Sequence, residues 1–323
     1  MSSADTTLSP LAAFDIRTDG RAHPAPDDAP TPAHGYAYRW LHLDLADPAL
    51  RPWAEDHLPP LARRALLADR TRPRMDVGDG GLSVTLRGIN LNPGEETADM
   101  VSLRIWIDAG LVVTVRRQRV FAVEEERERV EAGDAPHSPG HLLARITEGL
   151  VERVEQIAFD REDLADDLED DVYEEDRAPL TDLAPLRREI IKLRRHVLPL
   201  AETLEQLSRA ETPLLADDLR PRMRDTASHC RWALEELHEV DDRLDAMADH
   251  LDAVADARLG KNSYRLSVIA AVFLPISFLT GLFGVNVGGM PGINHPMAFW
   301  ILCGAMGLVA IFSAIVMRLM RWF

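Results

Sequence analysis

The sequence predicts an α+β domain, then long stalk helices, then two C-terminal transmembrane helices. Three observations carry this. Segments between residues 36 and 117 alternate apolar and polar side chains, the period of a strand. From about residue 138 the pattern changes to helical spacing. The charge is confined to one part of the chain: of 323 residues, 36 are basic and 53 acidic, and no acid follows residue 265. Beyond Arg265 the only charged side chains are Arg318 and Arg321, so the chain up to that point bears a net charge of −19. An acidic, soluble body is joined to an apolar tail.

Residues 1–35 read as a flexible N-terminus, with Pro24, Pro26, Pro30 and Pro32 close together. Residues 36–140 read as a small mixed α/β domain. "YAYRWLHLDL" opens it as a strand, a short helix spans Pro60 to Asp69, and residues 82–91, 100–110 and 111–117 form further strands. Asp108-Ala109-Gly110 is a hairpin turn. The domain holds no nucleotide loop, paired catalytic carboxylates or nucleophile motif, so no enzyme is expected. The acidic balance excludes a uniform nucleic-acid binder, which needs clustered Lys and Arg. Cys230 and Cys303 are too few for a disulfide scaffold or a multi-cysteine zinc motif.

Residues 141–265 read as a helical stalk. The run from Asp160 to Asp176 is mostly Asp and Glu, a solvated helix face or a cation-attracting surface. Leu237, Val240, Leu244, Met247, Leu251 and Val254 follow a 3-4 spacing and form a seam for a second helix. Asp242, Asp245, Asp249, Asp252 and Asp256 repeat with the same spacing, roughly opposite that seam. Like charges at i, i+3 and i+4 repel by a few tenths of a kcal/mol per pair. A stripe facing an axis shared by several copies makes sense of them, as a funnel that draws cations toward a pore. Continued in phase, the stripe reaches Ser263, Leu266, Ala270, Leu274, Ser277 and Gly281. No proline interrupts 222–265, so one helix is expected to run on into the tail, with Gly260 its weak point.

Two long runs, Leu266 to Phe283 and Met297 to Met317, carry no charge at all. As helices they span about 27 and 31 Å, against ~30 Å for a bilayer core. Arg258, Lys261 and Arg265 precede the first span and Arg318 and Arg321 follow the second, whereas the loop 284–296 has neither Lys nor Arg. Both termini are therefore expected in the cytoplasm, the loop outside, and residues 318–323 as a short cytoplasmic C-terminus. The N-terminus does not fit a cleavable signal peptide.

The loop after the first span reads "TGLFGVNVGGMPG". Gly284-Val285-Asn286 follows a proline-containing apolar helix and precedes a second span near the C-terminus. In that position it resembles the Gly-Met-Asn signature of the CorA family of divalent-cation transporters. Val285 replaces the usual Met, and the loop lacks the acids common in magnesium members. "GVNVGGMPG" is similar to the ZntB-like zinc branch. The resemblance implies a funnel-shaped homopentamer in a bacterial inner membrane, with no resident cofactor and a divalent cation as cargo. It implies that the first span lines the pore, that Asn286 forms the outer selectivity ring with Gly284 and Val285 shaping the loop, and that Ser263, Leu266, Ala270, Leu274 and Ser277 face the pore.

The residue types suit those roles. An Asn carbonyl accepts from the water shell of a hydrated cation, and Leu266, Ala270 and Leu274 make constrictions that gate by dewetting. His295 in the loop is a candidate zinc contact, and His238 a candidate cation contact four residues before Asp242. His229 and Cys230 are neighbours that point apart and make poor joint ligands, and Cys303 is a packing residue. Zinc is the expected cargo; the ZntB resemblance implies proton-coupled movement, but the spans hold no membrane acid or buried lysine to carry a proton, which argues against coupling. The alternatives are a CorA-like magnesium or cobalt channel and a membrane-anchored coiled-coil scaffold that transports nothing.

Overall fold

A computed structural model describes residues 8–25, 28–175, 180–285 and 295–319. The chain divides into two compact units, Met1–Ala248 and Asp249–Phe323.

The first unit is built on a seven-stranded sheet. Its strands are β1 (Ala12–Ile16), β2 (Ala22–Pro24), β3 (Tyr38–Asp44), β4 (Arg74–Gly78), β5 (Gly81–Gly88), β6 (Val101–Ile107) and β7 (Leu111–Arg116), in the order β2-β1-β3-β7-β6-β5-β4. All neighbours are antiparallel except β3 and β7. Helices α1 (Leu50–His57) and α2 (Pro60–Leu66) form the connection after β3. Asp44 and Asp47 start it, each accepting from a backbone N–H two residues on, and proline opens α2, where no N–H is needed. Strand alternation sends Leu41, Leu43, Trp106, Val113 and Val115 to the face covered by Trp53, Leu58 and Leu66 of this connection. On the opposite face Trp40 donates from Nε1 to Thr114 Oγ1 (3.0 Å), and Tyr38 donates to the Pro136 carbonyl (2.7 Å).

Residues 12–24 correct the expectation of a flexible N-terminus. The prolines after residue 23 read as coil, but β1 lies on β3 and buries Phe14, Asp15 and Ile16. Asp15 accepts from both Nε (2.8 Å) and Nη2 (2.9 Å) of Arg39, and both side chains are almost fully buried. The Asp108 turn forms as expected, its Oδ1 accepting from Gly110 and Leu111, both at 2.9 Å. A second hairpin joins β4 to β5 through Asp79-Gly80. Both residues have positive φ, the backbone this pair of residues favours.

Three helices complete the unit: α3 (Phe121–Glu131), α4 (Pro139–Glu175) and α5 (Leu180–Arg209), joined by the first part of α6 (Leu219–Gly284). The last three carry long, largely apolar seams. The seam of α6 runs through Leu219, Met223, Cys230, Ala233, Leu237, Val240, Leu244 and Met247, all buried. On α5, Leu186, Ile190, Leu193, Val197, Leu200 and Leu204 keep the same 3-4 spacing. Polar rungs fix the register of α4 against α6. Glu148 meets Arg222, Glu155 meets His229 and Glu169 meets Arg243, always 74 positions apart. A constant offset requires α4 and α6 to be parallel and in step. The pairs Glu205–Arg231, Arg194–Asp241 and Arg187–Asp245 run in the opposite sense, so α5 is antiparallel to α6.

The second unit contains the remainder of α6 and helix α7 (Ala298–Leu319). Helix α6 is continuous through Gly260 and Pro275. Both helices are long and apolar enough to cross a membrane, and neither apolar window is buried. Each keeps one half-shielded stripe: Val268, Val272, Pro275, Ile276 and Leu279 on α6, and Leu302, Met306, Val309, Ala310 and Ser313 on α7. Cys303 lies on the α7 stripe, half-buried, in the packing position expected of it.

Candidate functional site

The residues expected to face a pore all belong to one helix. Ser263, Leu266, Ala270, Leu274, Ser277 and Gly281 are exposed on α6. Ala270, Leu274 and Ser277 each stand two positions before a half-shielded residue. At about 100° per residue they lie roughly 160° around the helix from that shielded stripe. Leu266 and Leu274 remain 68% and 69% exposed, a cost that water would not permit along a whole apolar face. This side of α6 is therefore open to lipid or to other copies of the chain.

The aspartates of α6 divide by surroundings. Asp242 is exposed, and Asp245 is half-buried and paired with Arg187 of α5. In the second unit Asp249, Asp252 and Asp256 are exposed. The acidic run on α4 is partly neutralised. Arg243 Nε donates to Glu169 (2.9 Å), and Nη2 of the same guanidinium to Asp166 (2.5 Å). One rung of the α4–α6 ladder joins like charges, Glu162 and Glu236. Burial first, and then Glu162, raise the Glu236 pKa.

Gly284 is the last residue of α6, and Val285 follows it, 52% exposed. Asn286 lies outside the described residues. His295 is held as a turn residue ahead of α7: its Nδ1 accepts from Met297 N–H (3.2 Å) and its carbonyl from Ala298 N–H (3.0 Å). His238 lines a shallow depression with Arg194, Arg195 and Asp241. His229 is engaged by Glu155, whose hydrogen bond raises its pKa, while burial pushes the Cys230 thiol up to about 12. That thiol stays protonated and packs in the seam.

One donor cluster escaped the sequence reading. His137, His141 and Asp218 bring three ligand atoms within 4.8 Å of one another. Ser138, just before α4, accepts from His141 N–H (3.4 Å), and its Oγ lies 2.8 Å from His141 Nδ1. This leaves His141 Nε2 facing Asp218 at 3.3 Å. Gly140 permits the close approach, because a Cβ there would overlap the Leu214 carbonyl. Burial, and then His137, lower the His141 pKa and favour the neutral imidazole that a cation would require. The i, i+4 histidines were visible in the sequence. Asp218, on the far side of α4 and α5 in the chain, was not.

Comparison with known proteins agrees with this layout. Residues 36–319 match the family described as CorA-like Mg2+ transporter protein. The chain belongs to this family. Within it, the chain is a ZntB-like member. It is similar to the Zinc transport protein ZntB of Pectobacterium atrosepticum, 35% identical over 82% of this chain and 81% of that one. It is also similar to the Divalent cation transporter CmaX of Pseudomonas aeruginosa, 35% identical over 88% and 87% of the two chains. The structure of the full-length CmaX protein superposes with a TM-score of 0.83 at 32% identity, covering 99% of this chain and all of that one. The CorA-family fold thus accounts for the sheet, the stalk helices and the two apolar helices together.

Proposed function

We propose that the chain carries divalent metal cations, zinc before others, across a membrane. The observation that carries this is α6, one unbroken helix that bears spaced aspartates in its polar part and an exposed, evenly phased stripe in its apolar part. A scaffold needs the seam but gains nothing from that second stripe. Two helices per chain cannot enclose a channel, so several copies must contribute α6, and a homopentamer is the assembly the family resemblance implies. In it Ser263, Leu266, Ala270, Leu274, Ser277 and Gly281 line the conduit. Asn286, with Gly284 and Val285, forms the outer ring of carbonyl acceptors that docks a hydrated cation. Asp242, Asp245, Asp249, Asp252 and Asp256 raise the local cation concentration on the cytoplasmic side. The membrane is a bacterial inner membrane, with both termini in the cytoplasm.

Zinc is favoured over magnesium on chemical grounds. Magnesium gives up water reluctantly and takes carboxylate or phosphate help, and the loop 284–296 has no acid. Zinc binds imidazole well, and His295 stands in that loop. Proteoliposomes loaded with a zinc-sensitive dye test the reading, with and without a pH gradient. Zinc flux should exceed magnesium flux, and Asn286→Ala should cut zinc flux by about tenfold or more while leaving the oligomer intact. Wild-type flux from a correctly assembled Asn286→Ala protein refutes the selectivity role. Equal or greater magnesium flux moves the cargo to magnesium.

A further inference from the structure

A cation-lined cavity in the first unit is lined by none of the residues assigned to the conduit or to the aspartate stripe. It encloses about 880 Å³ at the end of the sheet near β4, β5 and β6, where α5 closes one side. Its wall holds seven arginines and, among the described residues, one carboxylate, Asp69. This is the reverse of the chain's average, which is net −17.

Strand register creates it. Arg74 pairs with Thr85 and Thr85 with Arg104, while Arg87 pairs with Ser102. Cross-strand partners share a face, and so do positions two apart. Arg74, Arg87 and Arg104 therefore emerge on one side of three adjacent strands, beyond the end of α2. The α2–β4 connection adds Arg72, and α5 adds Arg195 and His196.

The two innermost guanidinium groups are satisfied by neutral partners only. Arg104 is 2% exposed. Its Nε and Nη2 donate to the Ala68 carbonyl (3.3 and 2.8 Å), and its buried Nη1 has no partner. Arg87 donates from Nη2 to the Thr71 carbonyl (3.1 Å), and its Nη1 lies 3.4 Å from His196 Nδ1. Asp69, largely solvent-exposed, lies 3.8 Å from Arg117 and offsets the charge of Arg104 only in small part, as the last and weakest influence on it. Burial, and then Arg195 and Arg72, depress the Arg87 pKa, and burial and then Arg117 depress that of Arg104. Buried charge without a counter-ion is costly, and an unmade hydrogen bond on a charged group more so. A fold that keeps two such groups beside an open, arginine-lined cavity has a use for an anion there.

We propose that this cavity binds a multiply phosphorylated small molecule, through the forked guanidinium groups of Arg72, Arg87, Arg104 and Arg195. Arginine matches phosphate oxygens in pairs and keeps its charge at any physiological pH. A single phosphate would balance two charges at most and leave most of the volume empty. A chain of phosphates, or a nucleoside triphosphate, matches both the charge and the size of a ligand pocket. Met100, Pro73 and Pro199 add apolar wall against which a base could rest.

The test uses the full-length protein in detergent without divalent cations, titrated calorimetrically with sodium tripolyphosphate, ATP, inorganic phosphate or sulfate at matched ionic strength. Tripolyphosphate should bind once per chain, about a hundredfold tighter than phosphate or sulfate, and should raise the melting temperature. ATP binding tighter than tripolyphosphate marks a nucleotide as the ligand, and weaker binding marks the phosphate chain alone. Arg104→Gln alters a buried residue of the interior strand β6 and risks unfolding the sheet, so the decisive variant is Arg72→Gln/Arg195→Gln, both at the exposed rim. It should weaken tripolyphosphate about tenfold or more, while the melting temperature in the free state is no lower than that of the wild type, since two charges that repel Arg87 are removed. The proposal is overturned if tripolyphosphate binds no better than sulfate. It is equally overturned if the rim variant binds as the wild type does, or if Arg51→Gln/Arg224→Gln, remote exposed arginines, produces the same loss. None of these results bears on zinc flux.

Discussion

Acid should unfold the first unit through His42, by an amount the structure allows to be worked out. His42 lies in β3, 1% exposed, with Nδ1 2.8 Å from Thr114 Oγ1 and Nε2 3.8 Å from Glu124. Burial, and then Arg116 and Arg127, lower its pKa from 6.5 to about 3. The folded value lies below the unfolded one, so the unfolded chain takes up the proton first. The stability contributed by neutral His42 is fully present above pH 6.5 and is lost as pH falls toward 3. Each pH unit inside that window costs ~1.4 kcal/mol, so about 2 kcal/mol is gone at pH 5 and ~5 kcal/mol at the lower limit. The measurement is the urea midpoint of the full chain in detergent, followed by far-ultraviolet circular dichroism from pH 7.5 to 4.5. A His42→Gln protein serves as the reference, since it titrates everything except this ring. Wild type should lose stability more steeply than the variant below pH 6.5, and the two should run parallel above it. Parallel curves over the whole range would show that the ring is protonated or exposed in the fold.

Other perturbations follow from single contacts. Asp15→Asn removes the buried carboxylate that accepts from Nε and Nη2 of Arg39 and should cost about 3–5 kcal/mol in urea unfolding. Gly81→Ala would drive a methyl group into the Trp106 ring and to within 2.6 Å of the Ile107 carbonyl. It should destabilise by ~1–3 kcal/mol with a change in tryptophan fluorescence. Zinc or magnesium should raise the melting temperature by relieving repulsion along α6. Asp245→Asn/Asp249→Asn/Asp252→Asn should shrink that rise, and an unchanged rise would locate the cation elsewhere, the acidic face of α4 being one place.

The seam and the apolar runs were legible because they are one-dimensional. Leu237, Val240, Leu244 and Met247 repeat at a spacing that only a helix brings to one face, and all four are buried. Loss of charge after residue 265 needs no fold to be read, and two apolar helices stand there. Likewise β3, β5, β6 and β7 announce themselves by alternation, whereas the short β4 does not, and Asp108-Ala109-Gly110 turns through its own side chain.

What the tertiary structure alone decided involves residues distant in sequence. Ala12–Ile16 is too short and too close to prolines to read as a strand. It is one because β3 supplies its hydrogen bonds and Arg39 its counter-charge. The partner of Asp245 is Arg187, on a different helix, which no spacing rule on α6 reveals. His141 meets Asp218 only because Gly140 lets two backbones approach. Arg74, Arg87 and Arg104, well separated along an acidic chain, gather only when three strands pair in one register. Periodicity records which face of an element a residue occupies. Which residues then meet across elements depends on pairing and packing, and that information exists only in three dimensions.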